Sequence, residues 1–172
     1  MDKSSVIRAL REAARALHES STPDDTLQAI VAAGGASVPG FQHVGISVVH
    51  GRERIESKAV TGRLVWELDE VQYALMEGPC VDSLRTVSTL AVEHLRHDHR
   101  WPRYVPAAVG HGVLSQLAFR LHADDDTFGC LNFYGTESET LQSGAMEIAE
   151  LFAAQATIAL ARAIEKDTPA QP

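Results

Sequence analysis

The chain has 172 residues, 45% hydrophobic and 22% charged, which is enough apolar material for one domain with a single core and no need of a staple. Its 15 Lys and Arg against 23 Asp and Glu leave a formal charge of −8. That balance excludes a protein built around a polyanion, because phosphate binding needs a net basic face. Two cysteines, Cys80 and Cys130, are too few for a disulfide framework and read as thiols of a reducing compartment.

The first element is an amphipathic helix with Val6, Leu10, Ala13, Ala14 and Leu17 on one face, and Ser4 or Ser5 is its expected cap. Thr22-Pro23-Asp24-Asp25 then gives a cap, a first-turn proline and acidic residues in order, so a second helix starts there and should fail near Gly34-Gly35 or Pro39-Gly40. The period changes to two at Val44, Ile46 and Val48, with a hairpin partner over 55–61. Residues 63–88 carry helical and loop-like signals, Leu90 and Val92 mark a short strand, and Trp101-Pro102 starts a short helix over 104–109. Two strong strands follow, 113–121 and 128–134, joined by the charged turn Asp124-Asp125-Asp126. A long helix over about 142–165 closes the fold. Its apolar region is broken by Glu147, Glu150, Gln155 and Arg162, so no membrane span is expected. With no apolar leader at the N-terminus, the expected location is the cytoplasm.

Hairpins bracketed by helices, without a β-α rhythm, predict an α+β fold. In the last helix Ala145, Ala149, Phe152, Ala156 and Leu160 form one stripe, while Ile148, Leu151 and Ile158 extend the apolar surface around its side. A helix apolar beyond one stripe either lies deep in the core or also serves a partner; a homodimer through the terminal helices is expected, the alternative being that both helices only cover the sheet.

Several strings bear on chemistry. In Glu77-Gly78-Pro79-Cys80-Val81-Asp82, Gly-Pro is a turn followed by a preset first helical residue, placing Cys80 in the first turn of a short helix. The positive helix end there favours thiolate, hence a redox-sensing or ligand-contacting thiol; the alternative is a small buried apolar residue. His94, His97 and His99 have no Cys pair or second His cluster to complete a metal site and read as surface loop. The carboxylate pairs Glu67 with Asp69 and Glu137 with Glu139 read as solvated faces. No glycine-rich phosphate loop, Gly-x-Ser-x-Gly elbow or His-Glu-x-x-His is present.

Alternation gives the sheet two different faces. Leu117, Phe119, Leu121, Leu131 and Phe133 form an apolar one; Gln116, Ala118, Arg120, Cys130, Asn132 and Tyr134 form a mixed one. Apolar walls with a few directed polar groups are what a small-molecule pocket needs, although a solvent-facing side would read alike. Gln116, Asn132 and Tyr134 are therefore the candidate ligand groups on the sheet, with Trp101 and Tyr104 as aromatic cover and Cys80 and Cys130 as redox candidates.

Three strings in order, Glu77-Gly78-Pro79-Cys80-Val81-Asp82, Asp98-His99-Arg100-Trp101-Pro102 and Phe128-Gly129-Cys130-Leu131-Asn132-Phe133-Tyr134, resemble the GAF domain. The closest likeness is to actinobacterial members usually joined to an ANTAR RNA-binding domain. The resemblance implies an antiparallel sheet of five or six strands, terminal helices on one face, and short helices and loops over a pocket on the other. It also implies small-molecule or redox sensing, dimerisation and regulation of an output partner, with residues 1–166 as the sensory domain and 167–172 as a flexible tail. No ANTAR module follows, so direct nucleic-acid binding is not carried over; the chain is expected to be a stand-alone GAF protein or part of a longer one. The cyclic-nucleotide signature Asn-Lys-x-Phe-Asp-Glu is absent, none of the eight histidines maps onto a haem ligand, and no cofactor is assigned. GAF-fold proteins also include cysteine-based reductases of free methionine sulfoxide, which leaves an enzyme as one alternative. A ligand-free docking or dimerisation module is the other.

Overall fold

Thr22 caps the second helix as its sequence requires: its Oγ1 accepts the Asp25 N–H at 3.1 Å, and Pro23 opens the first turn, where no N–H is needed. In this computed structural model, which describes residues 3–19, 22–51, 54–86, 89–123 and 128–167, that helix is α2 (Pro23–Ser37). It follows α1 (Lys3–Glu19), within which Ser4 and Ser5 lie, not ahead of it as expected of caps. Helix α2 runs through Gly34 and Gly35. A Cβ on Gly35 would stand 2.6 Å from the Gln42 carbonyl oxygen, so the missing side chain lets the helix lie close on the chain entering the sheet.

The strands are β1 (His43–His50), β2 (Arg54–Val60), β3 (Thr89–Val92), β4 (Ser115–His122) and β5 (Phe128–Gly135). They form one antiparallel sheet of five in the order β2-β1-β5-β4-β3. The expected Asp124–Asp126 turn and the tail after 167 fall outside the described residues. Pairing Leu117 with Phe133 and Phe119 with Leu131 puts the apolar residues on one face. There they join Val44, Ile46 and Val48 in the main core against α2 and α6 (Ala145–Asp167). Helix α1 packs on α2 and α6 and adds Ala9, Ala13 and Ala16 to the same core.

The mixed face is covered by α3 (Arg63–Leu75), α4 (Pro79–Arg85) and α5 (Tyr104–Gly110). Helix α3 turns Val65, Leu68, Asp69 and Gln72 inward at helical spacing. It comes so near β1 that a Cβ on Gly45 would meet Val65 Cγ1 at 2.5 Å. Among the described residues no helix is long and apolar enough to cross a membrane.

Candidate functional site

The side chains between the mixed face and α3–α5 form a continuous hydrogen-bonded chain. Tyr104 Oη donates to Gln116 Oε1 at 2.6 Å, and Gln116 Nε2 donates to Gln72 Oε1 at 3.4 Å. Gln72 Nε2 donates to Tyr134 Oη at 2.8 Å, and the Tyr134 hydroxyl donates to Asp69 Oδ1. Ser57 Oγ donates to Asp69 Oδ2 at 2.8 Å, and the Cys80 N–H donates to Gln72 Oε1 at 3.0 Å. Asp69, Gln72, Gln116 and Tyr134 have no exposure to solvent. Burial raises the Asp69 carboxyl to about 7, against the opposing hydrogen bonds from Tyr134 and Ser57.

Asp69 is thus buried, not on the solvated face expected for it. Its neighbour Glu67 does sit at the surface, taking Arg63 Nε at 2.6 Å and facing His111 at 3.5 Å. The difference is rotational: four residues after Val65, position 69 shares the inner stripe of α3, and position 67 does not.

Next to this chain stand the two thiols, both fully buried. Cys80 occupies the first turn of α4, as the Gly-Pro turn predicts, and its Sγ lies 3.9 Å from Ser47 Oγ. Cys130 Sγ lies 3.2 Å from Ser83 Oγ and donates to Asn132 Oδ1 at 3.2 Å. Burial, and then the hydrogen-bonded Cys80 thiol, push the Cys130 thiol well above its ordinary pKa. Asn132 Nδ2 is buried without a hydrogen-bond partner among the described residues.

Two of the strings that carried the family resemblance meet in space as a clasp. Glu77 accepts the backbone N–H groups of Arg103 and Tyr104 at 2.9 and 3.1 Å on Oε2, and Arg103 Nε at 2.9 Å on Oε1. It thereby satisfies free donors at the start of α5. The Arg103 side chain holds the Glu77 carboxyl below its usual range. Trp101 Nε1 donates to Asp82 Oδ2 at 2.9 Å, and Arg100 stacks over the Trp101 ring while pairing with Asp98 at 2.7 Å. These residues fasten α5 to α4.

Beside the polar chain, toward the β1–β2 turn, a cavity of about 480 Å³ opens to solvent. Val49, Ile55 and Phe128 line it from the sheet, and Met76, Val81 and Leu84 from the helices. The Tyr73 ring stands between it and the interior, its hydroxyl hydrogen-bonded to Ser47 Oγ. Arg54 and Arg85 complete the lining. The volume and the apolar walls with few polar groups are those of a small-molecule site. Of the residues expected at a ligand, Gln116, Tyr134 and Tyr104 are brought together, with Asn132 beside the thiols and Trp101 in the clasp. None of the five lines this cavity. Sequence reasoning missed Tyr73, Arg54 and Arg85, whose common environment arises only when the adjoining ends of β1 and β2 meet α3 and the end of α4. Among the described residues no three His, Cys, Asp or Glu side chains gather as a metal site, and His94 faces Glu139 at 3.9 Å.

One antiparallel sheet between two helical layers, with a cavity under the second, defines the class of fold. Residues 20–161 match the family model described as GAF domain, and the chain belongs to that family. No curated protein matches the chain. Among solved structures it is similar to an N-acylhomoserine lactone dependent LuxR family transcription factor from Burkholderia cenocepacia (13% identity, 93% of this chain and 98% of that one, TM-score 0.76). It is also similar to the GAF domain of a phosphoenolpyruvate-protein phosphotransferase from Acinetobacter (16% identity, 96% and 98%, TM-score 0.72). A third is the free methionine-R-sulfoxide reductase of Neisseria meningitidis in complex with its substrate (14% identity, 96% and 95%, TM-score 0.70). At these identities the likeness is one of fold, and the fold serves both sensors and enzymes.

Proposed function

We propose that the chain is a sensory GAF module whose input is a small molecule held in the cavity between the β1–β2 turn, α3 and α4. The observation that carries this reading is the cavity itself: about 480 Å³ with apolar walls and an arginine rim, beside a polar chain whose side chains are fully buried. A route to the terminal helices supports it. Phe128 lines the cavity, and the backbone of the next residue, Gly129, lies so close to α6 that a Cβ there would come 2.9 Å from Leu160 Cδ2. A ligand that prefers one placement of β5 would shift a dimer of terminal helices by its differential affinity for two arrangements. From the three strings we place the chain near the ANTAR-linked actinobacterial members. In this reading it acts in the cytoplasm, regulating transcription through a partner and without contacting nucleic acid itself.

Native mass spectrometry of the full chain purified from cells tests the reading. A retained small molecule is expected, and it should be lost when Leu84→Trp fills the cavity. Retention unchanged in a folded Leu84→Trp variant, or no retained molecule at all, would overturn it.

The paired thiols favour a second reading, a cysteine-based reductase of the kind named among the structural neighbours. Full burial of both thiols and the upward push on Cys130 keep it second, since the thiolate is the attacking form. Turnover of free methionine sulfoxide, abolished in Cys80→Ser, would put it first. The packed polar chain favours a ligand-free docking module only on the β3–β4 side of the sheet, away from the cavity.

A further inference from the structure

Two arginines stand at the cavity of a chain whose net charge is −8. Arg54 and Arg85 line it, and no carboxylate does so among the described residues. Arg54 lies 3.5 Å from Glu56, whose other carboxylate oxygen is already held by His50 Nε2 at 2.9 Å. Arg85, at the exposed end of α4, has no ion pair among the described residues. Behind the cavity wall, the Arg120 guanidinium lies 4.6 Å from the centre of the Phe128 ring, and its Nε is buried without a hydrogen-bond partner. Two guanidinium groups at the rim of an apolar hollow that no carboxylate of the described residues lines make an arrangement that an anion completes.

We propose that the cavity takes an amphipathic carboxylate: an apolar body against Val49, Ile55, Leu84 and Phe128, and a carboxylate among the arginines, with Arg85 as its main partner. At about 30 Å³ per water-sized group, the volume holds roughly 10–16 non-hydrogen atoms, the size of a medium-chain fatty acid or an aryl-alkanoic acid. Guanidinium suits the role because its fork of donors matches a carboxylate in two parallel hydrogen bonds. The inference rests on the reading of this cavity as the ligand site.

The test titrates the full chain with octanoate and with octanol, both below their aggregation limits, and follows heat and the methyl resonances of Ile55, Met76 and Leu84. Octanoate should bind saturably, one per chain, about tenfold or more tighter than octanol, as one charge-assisted contact implies. Arg85→Gln, at an exposed helix end, should weaken octanoate binding about tenfold and so remove its preference over octanol. Leu84→Trp should abolish both, and if it does not fold, the methyl shifts in the unsubstituted chain locate the site. Equal binding of octanoate and octanol at shifted cavity methyls overturns the carboxylate and leaves the cavity as the ligand site. Octanoate binding that moves none of those methyls, or survives in folded Leu84→Trp, overturns the placement here. If neither compound binds, the carboxylate class is overturned, and the molecule retained in native mass spectrometry decides the cavity separately.

Discussion

Asp69 is a carboxyl with no exposure to solvent, and its side-chain partners are the hydroxyls of Tyr134, Ser57 and Tyr73. Burial raises it to about 7 in the folded chain, whereas an unfolded aspartate titrates near pH 4, about 3.9. Between those values the folded state holds a proton that the unfolded state has released. Stability is therefore highest below about pH 4, falls as pH rises to about 7, and is flat above, with a loss on the order of a few kcal/mol from this group. Asp69→Asn imitates the protonated acid: its amide can donate toward Ser57 while its carbonyl accepts from Tyr134. Urea unfolding should show the variant within about 1 kcal/mol of the parent at pH 4, more stable than it at pH 8, and lacking the parent's slope between them. A parent curve flat from pH 4 to 7 would count against a proton on Asp69.

At the scale of elements, the turn from α3 to α4 is the tightest junction over the sheet. Gly78 has φ 125°, and a Cβ there would stand 2.3 Å from Gln72 Oε1, the atom that accepts the Cys80 N–H. Gly78→Ala is expected to cost about 2 kcal/mol or more, from backbone strain and from displacing Gln72, and denaturant unfolding measures it. A loss no larger than that of Gly62→Ala, where an added Cβ would meet no atom within 4 Å, would mean that Gln72 yields freely. Elements of this kind were legible to different degrees. The strands β1, β4 and β5 stand out because alternation separates an apolar face from a mixed one, and the cap at Thr22 and the Gly78-Pro79 turn carry local chemistry. Helix α3 blurred because Asp69 and Gln72 occupy inner positions where apolar residues would have shown the period. The cavity left no local trace, since Arg54, Tyr73, Arg85 and Phe128 meet only through tertiary packing.

Taken as a whole, the molecule leaves large apolar side chains uncovered on its terminal helices: Ile7 and Leu10 on α1 are 51% and 45% exposed, and Ile158 on α6 is 47% exposed. Pairing two copies through these helices would cover them, and sedimentation at micromolar concentration should then report twice the mass of one chain. Leu10→Glu with Ile158→Glu should give a folded monomer; a parent that already sediments as a monomer would refute the pairing. The clasp of Glu77 with α5 and of Asp82 with Trp101 has a consequence at this same scale. Part of what marks the chain as kin to other GAF domains is its fastenings, and the cavity walls lie mostly outside those strings. Kinship can thus be inherited through the hinges of the housing while its contents drift. Two members can share every fastening and answer to chemically unrelated signals.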